Sequence, residues 1–340
     1  MKKLRINMVS ESDITVQGHG VHTAYIEMAE ALEKRNDVTL IRGEFGKSVD
    51  CDVIHLHTFG PYAWRKALQR GPKKVISAHV VPASLVGSII GARYWMPIMR
   101  HYMRWYYNRA DKVLAVSNMV AKVLHDELRV PKNKIETFYN TIDMDRYDFT
   151  AKDKQAARKK LDIKDDEFVV LGNGQVQPRK RLDTFMAMAA AQPDVTFIWV
   201  GGIPFKQLGA DYQKMQRLMD SVPDNLKITG VIPHEDVRDY LAAADVFCLP
   251  AEQENHPMCV LEAAGAKLPI ILRDIPEYDD TFKHDAWRCK TDDDFVAAVK
   301  ELRRSTVEYK KWQKKTGAIA ERFDSKLAAE RLVKIYRQLV

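Results

Sequence analysis

The chain has 340 residues, a formal net charge of +7, 46% hydrophobic and 29% charged residues. That length exceeds what one hydrophobic core usually serves and predicts two domains of about 150 to 180 residues, in a chain of ordinary soluble composition. No run of about 18 uncharged apolar residues exists, which excludes a membrane-spanning helix; the positive charge favours a polyanionic partner, whether nucleic acid, anionic membrane or a diphosphate; and four scattered cysteines (Cys51, Cys248, Cys259, Cys289) lack metal-ligand spacing and fit a reducing cytoplasm.

The opening Met1-Lys2-Lys3-Leu4-Arg5-Ile6-Asn7-Met8-Val9 holds too short an apolar run for a signal peptide and suits a first buried strand. Leu4 to Val9 reads as that strand and Gly20 to Lys34 as an amphipathic helix. Val38 to Ile41, Val53 to Leu56, Val75 to Ala78 and Val113 to Val116 follow as short buried strands, the pattern of a parallel sheet with helical crossovers. After the charged, helix-prone stretch from Thr150 to Lys164 the pattern restarts. Phe168 to Leu171, Val195 to Val200, Leu226 to Thr229, Val246 to Leu249 and Ile270 to Leu272 are its strands, and Ser325 to Val340 is helical. Two such sheets in succession predict two α/β domains, 1–148 and 149–320, facing each other across a cleft. No internal repeat or low-complexity tract interrupts them.

Within the first domain, Gln17-Gly18-His19-Gly20-Val21 joins the first strand to the first helix. It is not the dinucleotide fingerprint, because the third glycine and an acidic ribose-binding residue are missing. His55 and His57 stand at one strand end and His79 at another. Val80 to Ala92 is an uncharged apolar stretch, read as a loop, and a helix is expected to start near Pro97. On that helix Ile98, Met99, Tyr102 and Tyr106 fall on one side and Arg100 and Arg104 on the other, an interleaving suited to a membrane interface with anionic lipid.

In the second domain, Gly172-Asn173-Gly174-Gln175-Val176-Gln177-Pro178-Arg179-Lys180-Arg181-Leu182-Asp183 follows the first strand. Glycines let a ligand approach the backbone, and consecutive cations neutralise a departing diphosphate. Farther on, Ala251-Glu252-Gln253-Glu254-Asn255-His256-Pro257-Met258-Cys259-Val260-Leu261-Glu262-Ala263-Ala264-Gly265 sets Glu254 and Glu262 across a strand-to-helix junction, with Glu262 on the first turns of a helix from Met258. Such a junction binds phosphate on backbone N–H groups and lets the carboxylates hold sugar hydroxyls. Ile228-Thr229-Gly230-Val231-Ile232 and Asp239-Tyr240-Leu241-Ala242-Ala243-Ala244-Asp245 lie between the two motifs.

In this order the motifs resemble the retaining, nucleotide-sugar-dependent glycosyltransferases of family 4, over about residues 168 to 275 on the donor side. The resemblance implies a GT-B fold of two facing Rossmann-like domains, with residues 321–340 returning to the first. It implies that Glu262 binds ribose hydroxyls, that Glu254 holds donor-sugar hydroxyls, and that Gly174, Gln175, Val231, Asn255, His256, Pro257, Met258 and Cys259 surround the nucleotide-sugar. Gly18 and Gly20 would close on the donor phosphate, His79 would stand near the reacting sugar, and His55 and His57 would shape the floor beneath it. Gln175 stands where the family carries arginine and Arg181 where it carries glycine; Lys180 matches the family's lysine, with Arg179 a substitute for the displaced arginine. Asn255, His256 and Pro257 replace a more usual small-aromatic-glycine sequence.

Ile6 to Ser10, Gln17 to Val21, His79 to Ser88 and Gln175 to Lys180 narrow the resemblance to the Gram-positive transferases that extend glucosyl-diacylglycerol with a second hexose. It implies galactose moved from its UDP form, a glycolipid acceptor that anchors lipoteichoic acid, and a cytoplasmic enzyme peripheral to an anionic membrane surface, with no metal and no cofactor beyond the UDP-sugar. The alternative is a different UDP- or GDP-hexose donor, with diacylglycerol or a soluble saccharide as acceptor. A nucleic-acid partner is not expected, since no recognised binding motif gathers the cations and aromatics on one face. No feature of the sequence addresses the oligomeric state.

Overall fold

The computed structural model describes residues 2–13, 20–46, 48–85, 91–203 and 211–340, with the side chains of 92 and 93 left aside. These fall into two compact units. The first takes its described residues from 2–85, 91–143 and 323–340, the second from 144–322.

In the first unit the chain runs β1 (Leu4–Val9), α1 (Gly20–Glu33), β2 (Val38–Arg42), β3 (Val53–Leu56), α2 (Pro61–Leu68), β4 (Lys73–Ala78), α3 (Pro82–Leu85), α4 (Ala92–Asn108), β5 (Lys112–Ala115), α5 (Asn118–Asp126) and β6 (Ile135–Thr137). The strands form one parallel sheet in the order β2-β1-β3-β4-β5-β6. Apolar residues on both faces of β1, β3 and β4 are buried, as a sheet covered by helices on both sides demands. In the second unit the order is α6 (Ala151–Lys160), β7 (Val169–Asn173), α7 (Leu182–Ala190), β8 (Thr196–Val200), α8 (Tyr212–Met219), β9 (Leu226–Ile228), α9 (Val237–Ala243), β10 (Val246–Leu249), α10 (Met258–Gly265), β11 (Ile270–Arg273), β12 (Trp287–Cys289), α11 (Asp292–Arg304) and α12 (Thr306–Arg322). Its parallel sheet is ordered β12-β11-β10-β7-β8-β9. The last helix, α13 (Ser325–Leu339), belongs to the first unit.

Helix α13 is built into the first core. Its Leu332, Val333, Ile335 and Tyr336 join Tyr25, Met28 and Leu32 of α1 over Leu4, Ile6, Met8, Val53 and Val75 of the sheet. The chain enters it by a bridge between Ile142 and Asp324, with Ile142 N donating to Phe323 O at 3.0 Å and Ser325 N to Ile142 O at 2.8 Å.

Both strand orders contain a switch point, a place where consecutive crossovers run to opposite sides and a crevice opens beyond the strand C-termini. It lies between β1 and β3 in the first sheet and between β7 and β10 in the second. The candidate residues cluster at these two places.

Three features differ from the sequence expectation. The edge strands β6 and β12 were not expected; each has three residues and a charged one at its centre. Helix α4 begins at Ala92 rather than near Pro97, which sits inside it. Pro97 is its sixth residue, past the first turn where a missing N–H costs nothing, so the helix forfeits one i→i−4 hydrogen bond there. The stretch after Val80 is not an open loop: Val81 is buried, and Pro82 and Leu85 are buried in α3. Its residues 86–90 lie outside the described part.

Candidate active site

Beside the second switch point the loops after β7, β8 and β9 are clamped by glycines. Gly174 N donates to Val200 O and Val176 N to Gly202 O, each at 2.9 Å, and the Trp199 indole donates to Gly174 O at 2.9 Å. Gly201 has φ +131°, and a Cβ there would lie 2.1 Å from Gly174 O. A Cβ on Gly202 would lie 3.0 Å from Val231 N. Only glycine allows three strand-end loops to approach this closely.

Beyond Gly174 a single 3-10 turn, Pro178–Lys180, aims two cations at one carboxylate. Lys180 Nζ lies 2.5 Å and Arg179 Nη1 3.2 Å from Glu254 Oε1. Both Lys180 and Glu254 are 7% exposed. Burial pushes the Glu254 carboxyl up, and the Lys180 and Arg179 cations more than offset that, holding it below the usual glutamate range. The loop carrying Glu254 is stitched to the turn through its backbone too. Glu252 N donates to Arg179 O at 2.8 Å, and Arg179 Nη1 donates to Gln253 O at 2.9 Å. Gln175 joins the same set: its Oε1 accepts from Gln177 Nε2 at 3.0 Å, and Gln177 Oε1 accepts from Arg179 Nε at 3.1 Å.

Arg181 explains a departure noted in the sequence. It has φ +55°, the left-handed conformation that glycine adopts without strain. Its guanidinium turns to Glu252, to Asp183 at 2.9 Å and to Asp292 at 3.1 Å. Arg181 therefore belongs to the scaffold of the turn, and the two cations on Glu254 are Arg179 and Lys180.

Glu262 is the fifth residue of α10, buried, and its Oε1 lies 3.0 Å from His234 Nε2. His234 was not singled out from the sequence; it opens the short turn His234–Asp236 after β9, and only the fold brings it to Glu262. Helix α10 starts after Pro257 without a side-chain cap on its first N–H groups. His256 is buried, stacked on Phe282 with centroids 5.4 Å apart, and burial pushes its imidazole down to about 3. Asn255 is half-buried, Pro257 and Met258 are buried, and Val231 is exposed. Burial raises the Cys259 thiol to about 12, with Lys180 opposing and Glu254 and Glu262 adding to the rise. Cys259 is thus a neutral thiol beside both carboxylates.

In the first unit, His57 and His79 each stand one residue past the end of β3 and β4, and their rings are stacked with His57 Nδ1 3.2 Å from His79 Nε2. His55 lies within β3. Gly20 is the first residue of α1, and a Cβ there would meet nothing within 4 Å. Gly18 lies outside the described residues. Among the described residues no group of three His, Cys, Asp or Glu side chains is arranged to hold a metal ion.

Residues 153–318 match the model of glycosyl transferases group 1, and residues 40–146 that of glycosyltransferase family 4. The chain is 34% identical to the alpha-galactosylglucosyldiacylglycerol synthase of Streptococcus pneumoniae, over 82% of its own length and 74% of that enzyme's. The chain belongs to the GT-B glycosyltransferases. It is also similar to the processive diacylglycerol alpha-glucosyltransferase of Acholeplasma laidlawii, at 24% identity over 83% of this chain and 82% of that one. The fold is that of Anabaena HepE, solved in complex with UDP-glucose, with a TM-score of 0.80 and 16% identity over 99% of this chain and 100% of that one.

This glycosyltransferase carries one further surface feature on its first unit. Tyr62, Trp64 and Leu68 on α2 and Tyr94 and Ile98 on α4 are exposed, with Arg65, Arg100 and Arg104 exposed among them. Trp64 and Trp105 bring the two helices together, with ring centroids 6.4 Å apart. The buried side of α4 is Met96, Met103, Tyr106 and Tyr107, and the hydroxyls of Tyr106 and Tyr107 donate to Thr58 O and Val80 O at 2.6 Å. The expected stripe therefore divides: Tyr106 is core, while Ile98 is 77% exposed. Among the described residues no helix is long and apolar enough to cross a membrane.

Proposed function

We propose that this glycosyltransferase moves a hexose, galactose by preference, from its UDP form to glucosyl-diacylglycerol, with retention at the anomeric carbon. The reading is carried by the likeness to the pneumococcal enzyme, together with the Arg179–Lys180–Glu254 cluster at the second switch point. Glu254 takes donor-sugar hydroxyls, Glu262 takes the ribose hydroxyls, and His234 orients Glu262. Gly174, Gln175, Val231, Cys259 and the backbone from Asn255 to Met258 line the nucleotide-sugar, with Gly18 and Gly20 against its diphosphate. His79 meets the transferred sugar.

In the reaction the acceptor hydroxyl oxygen bonds to the anomeric carbon on the face from which UDP leaves. The bond from that carbon to the β-phosphate oxygen breaks, and that oxygen takes the acceptor proton. Arg179 and Lys180 stabilise the charge on the departing diphosphate, the role a divalent cation fills elsewhere, so transfer needs no metal. The exposed rings on α2 and α4 and the arginines among them suit the interfacial depth of an anionic bilayer, where the acceptor resides. The product then serves as the anchor glycolipid for lipoteichoic acid, and the enzyme acts from the cytoplasmic face of the membrane.

The test is transfer from radiolabelled UDP-galactose or UDP-glucose in mixed micelles containing glucosyl-diacylglycerol, diacylglycerol or free glucose, with and without a chelator. A labelled diglycosyl lipid, formed faster from UDP-galactose and unaffected by chelation, is the expected product. Product from diacylglycerol alone would make the chain an initiating enzyme instead, and product from glucose alone would refute the lipid acceptor.

A further inference from the structure

The histidines at the ends of β3 and β4 form a buried chain that reaches to the last helix. Tyr336 of α13 places its hydroxyl 2.6 Å from His55 Nδ1, and Ser77 of β4 places Oγ 2.9 Å from His55 Nε2. Both nitrogens of His55 are therefore occupied. Its ring centroid lies 4.3 Å from that of His57, and Tyr25 of α1 meets His57 edge-on at 5.4 Å. His57 is 2% exposed and wedged between these rings. Its backbone is fixed as well, with His57 N donating to Val9 O at 3.0 Å. Among the described residues one side-chain hydrogen bond is available to His57, from Nδ1 to His79 Nε2 at 3.2 Å, and its Nε2 is buried without a hydrogen-bond partner.

That orphaned nitrogen decides where the protons lie. Burial, and then the neighbouring His55 and His79, drive His57 far below the usual histidine range, so it is neutral and carries one ring proton. Were that proton on Nε2, a buried N–H would be left unsatisfied, which is rarer and more costly than an unused lone pair. With the proton on Nδ1, only a lone pair is left over. His57 then donates to His79 Nε2, which must accept and so bears no proton. His79 in its neutral form has its proton on Nδ1.

We infer that His57 is a positioning residue that fixes His79 as the Nδ1-protonated tautomer, so that His79 meets the transferred sugar as a hydrogen-bond donor. His55, Ser77, Tyr25 and Tyr336 hold the His57 ring in place and do not touch the sugar. The inference rests on the proposed function for the sugar contact, and on geometry alone for the tautomer. A donor at this point recognises a sugar oxygen as acceptor, and His79 does not act as the base that receives the acceptor proton.

The experiment is a two-bond proton–nitrogen correlation spectrum of the whole chain labelled with 15N-histidine, with His79 assigned by its loss in His79→Gln. His57→Leu removes the donor at similar volume, and His57→Asn keeps an amide donor near the place of Nδ1. In the wild type His79 is expected to show a protonated Nδ1 and a bare Nε2. His57→Leu is expected to lose that pattern and to lower kcat about tenfold with donor KM within about twofold, and His57→Asn to restore part of both. Folding of each variant is read from its amide spectrum. A protonated Nε2 on wild-type His79 would overturn the inference and leave the proposed function standing. An unchanged transfer rate in a His57→Leu variant that has lost the tautomer would refute the sugar contact, and with it both this inference and the placing of His79 at the sugar.

Discussion

Replacing Lys180 by Met keeps most of its volume and deletes its charge, which isolates the electrostatics of the buried cluster. Glu254 is 7% exposed, with Lys180 at 2.5 Å and Arg179 at 3.2 Å. Removing one partner of a buried pair costs about 3 to 5 kcal/mol, and the surviving Arg179 puts this case at the low end, about 3 kcal/mol at pH 7.5. The pH dependence carries the sharper signature. In the wild type the Glu254 carboxyl is held below its ordinary range, so its stabilising contribution is present above the unfolded pKa and is lost as pH falls through the folded one. In Lys180→Met burial works against one cation instead of two, the carboxyl moves up, and protonation relieves the penalty. The deficit relative to wild type should therefore shrink by about 1 kcal/mol or more between pH 7.5 and pH 5. Urea melts are the suitable assay, since urea leaves the ion pair unscreened. The double variant Lys180→Met/Glu254→Gln should recover about 2 kcal/mol relative to the sum of the singles. A deficit equal at both pH values, or simple additivity, would sink the argument.

Arg181→Ala loses the contacts to Glu252, Asp183 and Asp292 and keeps the left-handed strain, whereas Arg181→Gly removes that strain, so the glycine variant should be the more stable by about 1 kcal/mol in urea melts. Gly201→Ala drives a Cβ to 2.1 Å from Gly174 O at φ +131°, and should lower stability by more than about 3 kcal/mol and weaken UDP binding in calorimetry; a near-neutral melt would show the clamp to be loose. Tyr94→Ser/Ile98→Ser should reduce sedimentation with anionic vesicles several-fold while leaving unfolding within about 0.5 kcal/mol, because Tyr94 is 74% and Ile98 77% exposed. Undiminished vesicle binding would move the membrane contact away from α4.

The central strands were legible because each is a short apolar run covered on both faces: Leu4–Val9, Val53–Leu56 and Val246–Leu249 fall where hydrophobicity alone puts them. Two of the four edge strands were not: Ile135–Thr137 and Trp287–Cys289 are three-residue segments that pair on one side and need little apolar surface, whereas the edges Val38–Arg42 and Leu226–Ile228 were read. In α4 the period was read correctly and the phase was not. The burial that sets the phase comes from Thr58 and Val80 accepting the tyrosine hydroxyls, which no local pattern announces. On the donor side, glycines, cations and carboxylates could be seen one at a time. That Arg179 and Lys180 share one oxygen of Glu254 and that His234 holds Glu262 depend on pairings across 28 to 75 residues, and Arg181 turns away to Asp292 across 111. Gly201 and Gly202 closing a strand were the missed signal, for a glycine pair at a strand end marks close backbone approach.

The bond between Ile142 and Phe323 makes the second unit an insertion within the first, and this has a consequence for synthesis. The first sheet is complete once Thr137 has been made, yet the face occupied by Leu332, Val333, Ile335 and Tyr336 stays bare until nearly two hundred further residues have left the ribosome. During that interval, about 10 to 40 s at ordinary elongation rates, the emerging chain presents an unfinished apolar surface while the inserted unit can already fold. Chaperone demand should therefore fall on the earlier-made half. Its rescue by a separately expressed 323–340 peptide would show the order of assembly to be the reverse of the order of translation.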